Sequence, residues 1–288
     1  MNKGGSRGTE DGGQRTEDGQ QRYACLDQGR EKCKRVARVG QSVRSITVFF
    51  PCYNEQDNVA RTVERALEVL ERLNADFEVI IVDDGSTDST GRIADEIASK
   101  NNRVKAVHHH PNLGYGAALR SGFKAATKEF VFYTDGDGQF DIGELPPLLP
   151  LMNKADIVSC YRLNRQDNLV RRINGWCWTK LVCLLFGMKV RDIDCAFKLY
   201  RREIFDNIEL SSTGALINAE ILARAVRRGY CLTERGVHHY PRTAGRQTGG
   251  NPCVILRAFK ELIKLYSQIK KGSPKQTQIA DPDRVGGE

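Results

Sequence analysis

The 288-residue chain has no apolar run long enough to cross a bilayer. Its best, Leu181–Met188, falls far short of the roughly 20 residues that a spanning helix needs. The N-terminus lacks the apolar core of a secretory leader, so no leader is expected. Nine cysteines are scattered without a Cys-x-x-Cys pair. Neither a disulfide framework nor a zinc site is expected from them, and they favour a reducing cytoplasm. Internal repeats, zinc-finger spacings and aromatic stacking motifs are also absent. The net charge of +8 is therefore not read as nucleic-acid binding. The cations cluster instead: Tyr161 to Arg191 carries seven Lys or Arg against one acid, Asp167, and Ala223–Lys271 is again basic. Such clusters suit phosphates or an anionic membrane surface.

What is present is an alternation of strands and helices. Ser45–Phe50, Glu78–Val82, Val104–His108, Phe130–Thr134 and Ile157–Ser159 have the short, β-rich composition of buried strands. Asn58–Asn74 sets Val59, Val63, Leu67, Leu70 and Leu73 on one helical face, and helices are expected at Ser89–Ser99, Gly116–Ala126 and Leu145–Met152. The alternation predicts a single α/β domain over 45–250, a mostly parallel sheet with helices on both faces. An amphipathic helix is expected over 251–272. Residues 1–44 and 273–288 are polar and hold too little apolar surface to offset their ordering entropy, so both are expected to be disordered tails.

Ligands of open parallel sheets bind at the carboxyl ends of strands, and three of these ends carry polar clusters. Pro51-Cys52-Tyr53-Asn54-Glu55 follows the first; Tyr53 and Glu55 are suited to stacking on a base and bonding a ribose. Asp83-Asp84-Gly85-Ser86-Thr87-Asp88 follows the second. Helix capping accounts for its Ser, Thr and last Asp, but two adjacent carboxylates at an apolar strand end need donors to offset their desolvation. Asp135-Gly136-Asp137-Gly138-Gln139 follows the fourth. Asp135 and Asp137, two residues apart, project to one side of an extended backbone. Oxygen ligands of this kind suit Mg²⁺ or Mn²⁺, which would offset the charge on a diphosphate.

These motifs, with Asn112-Leu113-Gly114-Tyr115-Gly116-Ala117-Ala118 between the second and third, resemble in order and spacing the family 2 glycosyltransferases of GT-A fold. The resemblance runs from about Ile46 to Gly249 and is strongest to the dolichol-phosphate mannosyltransferases and related polyprenyl-phosphate sugar transferases. It implies the Rossmann-like sheet of nucleotide-diphospho-sugar transferases. It also implies that Pro51, Tyr53, Glu55, Asp83, Asp84, Asn112, Gly114 and Asp135 bind a GDP- or UDP-linked sugar, and that Asp135, Asp137 and Gln139 form the metal and diphosphate motif. Arg162, Arg171, Lys198 and Arg242 would hold the acceptor phosphate or diphosphate. Asp194-Cys195-Ala196-Phe197-Lys198-Leu199 is similar to the family's Asp-Cys-Gly-Phe-Lys segment, and Glu220 sits in its conserved acid slot, so Asp137, Asp194 and Glu220 are the catalytic candidates. Three departures stand out: Ala196 replaces the commoner Gly, Arg246-Gln247-Thr248-Gly249-Gly250 replaces a Gly-x-Ser continuation, and the C-terminal membrane helices of many relatives are missing.

The resulting expectation is a metal-dependent, inverting transfer to a polyprenyl phosphate, by a cytoplasmic protein peripheral on the inner membrane face. A phosphate acceptor needs no base, so catalysis would rest on positioning and charge stabilisation. A hydroxyl acceptor on a glycan or small molecule would instead need Asp192, Asp194 or Glu220 as base. A third alternative is a non-catalytic nucleotide-sugar-binding protein, against which the full Asp135, Asp137 and Gln139 set argues. Leu169–Val190 and Val254–Lys271 mix aromatics, aliphatics and cations; either they lie in a membrane interface or they pack on the domain as amphipathic helices. His108-His109-His110 is expected to be a strand end rather than a metal cluster, because consecutive residues diverge. His238 and His239 lie near Arg242 and could touch phosphate. Cys195, with no activating His in evidence, is expected to be inert.

Overall fold

The structure, a computed structural model, describes residues 45–163, 169–242 and 252–271, except the side chains at 169–171, 252–258 and 271. The expected tails and the loop Arg246–Gly250 lie outside the described residues.

Seven strands form one sheet: β1 (Ser45–Cys52), β2 (Asp76–Asp83), β3 (Val104–His108), β4 (Phe130–Thr134), β5 (Ile157–Leu163), β6 (Phe197–Arg201) and β7 (Leu232–His238). The helices are α1 (Val59–Glu71), α2 (Thr90–Lys100), α3 (Tyr115–Ala125), α4 (Leu169–Phe186), α5 (Glu203–Asn207), α6 (Ile217–Arg227) and α7 (Pro252–Lys271). The strand order is β3-β2-β1-β4-β6-β5-β7. Only β6 runs against its neighbours. The carboxyl ends of the other six strands therefore share one edge with the chain entering β6. Order reverses at β1, which pairs with both β2 and β4; this is the switch point at which such sheets open a crevice.

The sheet is apolar on both faces because helices cover both. Phe49, Ile80, Val82, Val131 and Tyr133 point to one core, shared with α3, α4, α6 and α7. Val48, Phe50, Val79, Ile81 and Phe132 point to the other, under α1 and α2. Phe49 stands edge-on to Phe123 at 4.9 Å and stacks on Tyr133 at 5.5 Å. A fully buried aromatic of this kind contributes about 2–3 kcal/mol by area alone. α1 seats Val59, Val63, Ala66 and Leu70 on its inner stripe, the spacing of one helical face.

The five expected strands are present, and the sheet continues past the last of them. β6 and β7, with α5 and α6, have no strong local pattern: β6 carries a lysine at its second position and β7 is a charged edge strand. Leu145–Met152, expected to be helical, is helical in 3-10 form, with Ile142–Glu144 and Pro146–Asn153 as successive 3-10 segments. Pro146, Pro147 and Pro150 remove the amide donors that an α-helix needs. α7 buries Leu262, Leu265 and Ile269 in the main core. Among the described residues no helix is long and apolar enough to cross a membrane.

Candidate active site

The tips of β1 and β4 bring three acids and one arginine together. Beyond β1 the chain turns at Asn54 (φ 55°), fixed by a bond from its amide to the Ser86 hydroxyl at 2.9 Å. Tyr53 is left exposed at the mouth and Glu55 is buried. Glu55 accepts from Asn58 at 2.7 Å and from Arg242. Arg242 also reaches to 3.6 Å from Asp137, so the segment leaving β7 is tied across the tips of β1 and β4. Burial raises the Glu55 carboxyl, against the pull of Asn58 and Arg242.

Asp135 takes a hydrogen bond on Oδ1 from the Tyr115 hydroxyl at 3.0 Å. Desolvation, and then the charge of Asp137, push its carboxyl up to about 7. Asp137 is raised as well, mainly by burial. Two neighbouring desolvated carboxylates repel each other, and the Arg242 guanidinium offsets the charge of Asp137 from 3.6 Å. The donor set is oxygen-only and small: among the described residues no three His, Cys, Asp or Glu are placed to hold one metal ion. It fits a divalent ion that takes its remaining oxygens from water and a diphosphate, as Mg²⁺ characteristically does. The Gln139 side-chain nitrogen donates to the Tyr240 carbonyl at 3.1 Å, and its backbone oxygen accepts from the Tyr240 amide at 2.9 Å. Gln139 thereby anchors the segment that carries Arg242.

At the tip of β2 the two acids face different partners. Asp83 accepts from the Ser86 amide at 3.1 Å, and its other oxygen lies 3.1 Å from Nδ1 of His108. Asp84 is fully engaged by the following loop: His109 at 2.6 Å, the Leu113 amide at 3.0 Å and the Gly114 amide at 2.9 Å. Asn112 donates to the Asp84 carbonyl at 2.7 Å. Gly114 has φ +96°, and a Cβ there would lie 2.7 Å from the Thr213 carbonyl; one at Gly116 would meet the Ser212 carbonyl at 2.7 Å. Asp84, Asn112 and Gly114, expected to touch the donor, thus build the loop and dock it on residues 212–214. His108 and His109 are carboxylate partners, of Asp83 and Asp95 and of Asp84 respectively. His238 pairs with Glu144 at 3.2 Å instead of facing the acids.

The second half of the edge holds the expected acceptor residues. Arg162 is clasped by Asp192 through two bonds of 2.7 and 2.9 Å. Together they wall a cavity of about 410 Å³ between the end of β5 and α4, with Tyr161, Arg172, Trp176 and Arg191 also lining it. Arg191 stacks over the Tyr161 ring at 4.5 Å; the sequence reading did not single it out, since nothing local places it beside β5. The Arg171 side chain lies outside the described residues. Lys198 is corrected: it is fully buried, and its ammonium donates to the carbonyls of Ile193 (3.1 Å) and Cys195. It braces the turn into β6 and cannot touch an acceptor.

The catalytic candidates separate by burial. Glu220 is fully buried and accepts from the Ser211 and Ser212 amides, the Ser211 hydroxyl and Arg224. Burial would raise its carboxyl, but the bonds from Ser212 and Ser211 outweigh that and hold it below the ordinary value. Glu220 is a loop clamp, not a base. Asp192 is committed to Arg162. Asp194 is half-buried and within electrostatic range of Arg162 and Lys198. Cys195 is a buried free thiol pushed up to about 12, chiefly by desolvation, in line with an inert role.

The acid pair thus lies at the switch point of the sheet, where open α/β sheets bind ligands. Residues 47–209 match the model of glycosyl transferase family 2. The chain belongs to that family. It is 30% identical over 168 residues to an undecaprenyl-phosphate 4-deoxy-4-formamido-L-arabinose transferase of Proteus mirabilis (strain HI4320). That match covers 58% of this chain and 52% of the relative, so the chain spans about half the length of that curated relative. The glucosyl-3-phosphoglycerate synthase of Mycobacterium tuberculosis, crystallised with Mn²⁺, UDP-glucose and phosphoglyceric acid, superposes with a TM-score of 0.59 at 18% identity, covering 80% of this chain and 81% of that one. The mannosyl-3-phosphoglycerate synthase of Rubrobacter xylanophilus gives 0.59 at 16% identity, covering 84% and 79%. These likenesses establish the GT-A fold for this family 2 enzyme.

Proposed function

We propose that this family 2 glycosyltransferase moves a sugar from a nucleotide diphosphate donor to a polyprenyl phosphate at a membrane surface, with inversion and with Mg²⁺ or Mn²⁺ held by Asp135 and Asp137. The carrying observation is the cavity beside α4, in which the cations Arg172 and Arg191 meet the apolar Ile173 and Trp176. That mixture suits a phosphate attached to a lipid. The undecaprenyl-phosphate substrate in the name of the Proteus relative supports it.

In this reading Pro51, Tyr53, Glu55 and Asp83 line the nucleotide side. Tyr115 orients Asp135 by its bond to Oδ1. Arg242, already at the acid cluster, is placed to meet diphosphate oxygens. The Arg162–Asp192 pair shapes the acceptor cavity, and Arg172 and Arg191 hold the phosphate by charge-assisted bonds. When bound, the divalent ion would offset the charge developing on the departing diphosphate. The acceptor oxygen is already ionised, so no residue has to remove a proton.

A hydroxyl acceptor is the second reading, favoured by Asp194 beside Arg162 and by the phosphoglyceric acid bound in the Mycobacterium tuberculosis structure. One screen separates the two: GDP- and UDP-sugars tested for Mn²⁺-dependent transfer to a short polyprenyl phosphate. Asp137→Ala should lower kcat by about 10²–10³-fold or more; undiminished turnover would refute its metal role. A steep pH–rate dependence abolished by Asp194→Asn would favour the hydroxyl acceptor.

A further inference from the structure

Asp83 and His108 are register partners at the ends of β2 and β3, so their side chains leave the sheet on the same face. α2 covers that face. Its Gly91 passes so close that a Cβ there would lie 2.7 Å from Oδ2 of Asp83 and 3.5 Å from Nδ1 of His108. The Asp83 carboxylate is thereby enclosed between two strand ends and a helix. It is buried, whereas the His108 ring is partly exposed.

The ring bridges two acids. Its Nδ1 lies 3.1 Å from Oδ2 of Asp83, and its Nε2 lies 3.0 Å from Oδ1 of the exposed Asp95 on α2. An ionised carboxylate only accepts, and a neutral imidazole has a single N–H. A neutral His108 can therefore serve one of these acids, and it turns a lone pair toward the other. Only the imidazolium donates to both. Burial alone would lower the imidazole, but the bonds to Asp83 and Asp95 outweigh it and raise it above the ordinary histidine value. The titratable groups facing the ring are Asp83 from β2, Asp95 from α2 and, from the segment beyond β3, the His110 ring, nearly parallel at 6.4 Å.

From Asp83 the contacts run on toward β1. Oδ1 accepts from the Ser86 amide at 3.1 Å, and the Ser86 hydroxyl accepts from the Asn54 amide at 2.9 Å. The Asn54 side-chain oxygen accepts from the Thr87 amide at 2.8 Å, and the Thr90 hydroxyl from the Glu55 amide at 2.8 Å. The turn with Tyr53 and Glu55 is thus zipped to the turn that begins at Asp83. His108 fixes the outer end of this unit.

We propose that His108 is a positioning residue for the nucleotide: as an imidazolium shared between Asp83 and Asp95, it fixes the ionised Asp83 carboxylate that meets the base, so donor affinity falls when the imidazolium is lost. This rests on the reading above in which Asp83 lines the nucleotide side. Ser86 and His108 fill one acceptor site on each Asp83 oxygen, which leaves two for a nucleobase N–H edge. A neutral ring gives up one of its two bonds. If it keeps Asp95, a lone pair faces Asp83; if it keeps Asp83, the ring is no longer tied to α2. Either way the carboxylate loses a charged partner that favoured its ionised form.

The test is the Kd of UDP and of GDP, each with Mg²⁺, for the full chain between about pH 6 and about pH 9. Titration calorimetry compares wild type with His108→Gln, Asp95→Asn and Asp83→Asn. Glutamine supplies neutral N–H donors and no charge, so it imitates the neutral imidazole. The diphosphate and the Asp135 carboxyl also change charge in this range, so the readout is the ratio of variant to wild-type Kd at each pH. For His108→Gln that ratio should be about tenfold near pH 6 and fall to about one near pH 9. Equal constants at the alkaline end also show that the variant is folded. Asp95→Asn removes one of the acids that retain the proton, and should move the loss of affinity to lower pH. A His108→Gln ratio near one at acid pH, or one that does not change with pH, overturns the proposal, since a ring acting by packing alone has no such profile. Wild type that binds neither nucleotide, or Asp83→Asn that binds as tightly as wild type, refutes the nucleotide reading beneath it. Binding weakened by Asp83→Asn but untouched by His108→Gln leaves that reading standing and removes His108 from it.

Discussion

Adjacent carboxylates at the tip of β2 show how far identical residues can part company. Asp83 keeps contact with the pocket side through Ser86 and His108, whereas Asp84 is closed in by three donors from one loop. Removing Asp84 would strand the Leu113 and Gly114 amides and the His109 ring in a poorly solvated place. Asp84→Ala should therefore cost about 3 kcal/mol, read as a lowered urea midpoint with an unchanged slope. A loss of activity at full stability would instead return Asp84 to the donor pocket. Glu220 carries the same lesson, since the burial expected of a catalytic acid here belongs to a clamp. Its four backbone and side-chain donors all come from residues 211, 212 and 224.

Between elements, Glu78 is the polar joint of the first half of the sheet. It stands near the start of β2, opposite the catalytic edge. Thr47 of β1 bonds it at 2.7 Å, Lys105 of β3 at 2.7 Å, and Thr127, just beyond α3, through amide and hydroxyl at 2.7 and 2.8 Å. Burial pushes the carboxyl up, but Lys105 and the Thr donors prevail and hold it down to about 2, against 4.5 for a free glutamate. The depressed value means that the folded state prefers the ionised form. This contribution is complete above about pH 4.5 and fades as the pH falls toward 2. It amounts to roughly 3 kcal/mol. Urea titrations of wild type and Glu78→Gln should differ most near pH 7 and converge near pH 2. A pH-independent difference would show that the joint does not work through charge.

At the scale of the whole molecule, the site exists because distant segments close on one edge. Arg242, beyond β7, reaches Glu55 beyond β1 and Asp137 beyond β4, and the cavity wall joins β5 to α4 and to the turn before β6. A ligand that bridges these segments should stabilise the fold. UDP or GDP with Mn²⁺ at 100-fold over its Kd should add about 2.7 kcal/mol, a rise of several degrees in Tm. EDTA or Asp135→Asn should remove the part of the shift that depends on the ion. A shift indifferent to both would place the nucleotide away from the acid pair. The strand ends and their Asp and Gly clusters could be read in the chain itself, because a buried strand followed by acids is a local pattern of composition and period. Local pattern likewise marked the amphipathic faces of α4 and α7. Which acids face a ligand and which hold a loop was decided only in three dimensions. The partners of Asp84, Glu220, Lys198 and Gln139 come from other segments, and for a buried charge the choice of partner, not the residue type, determines its role.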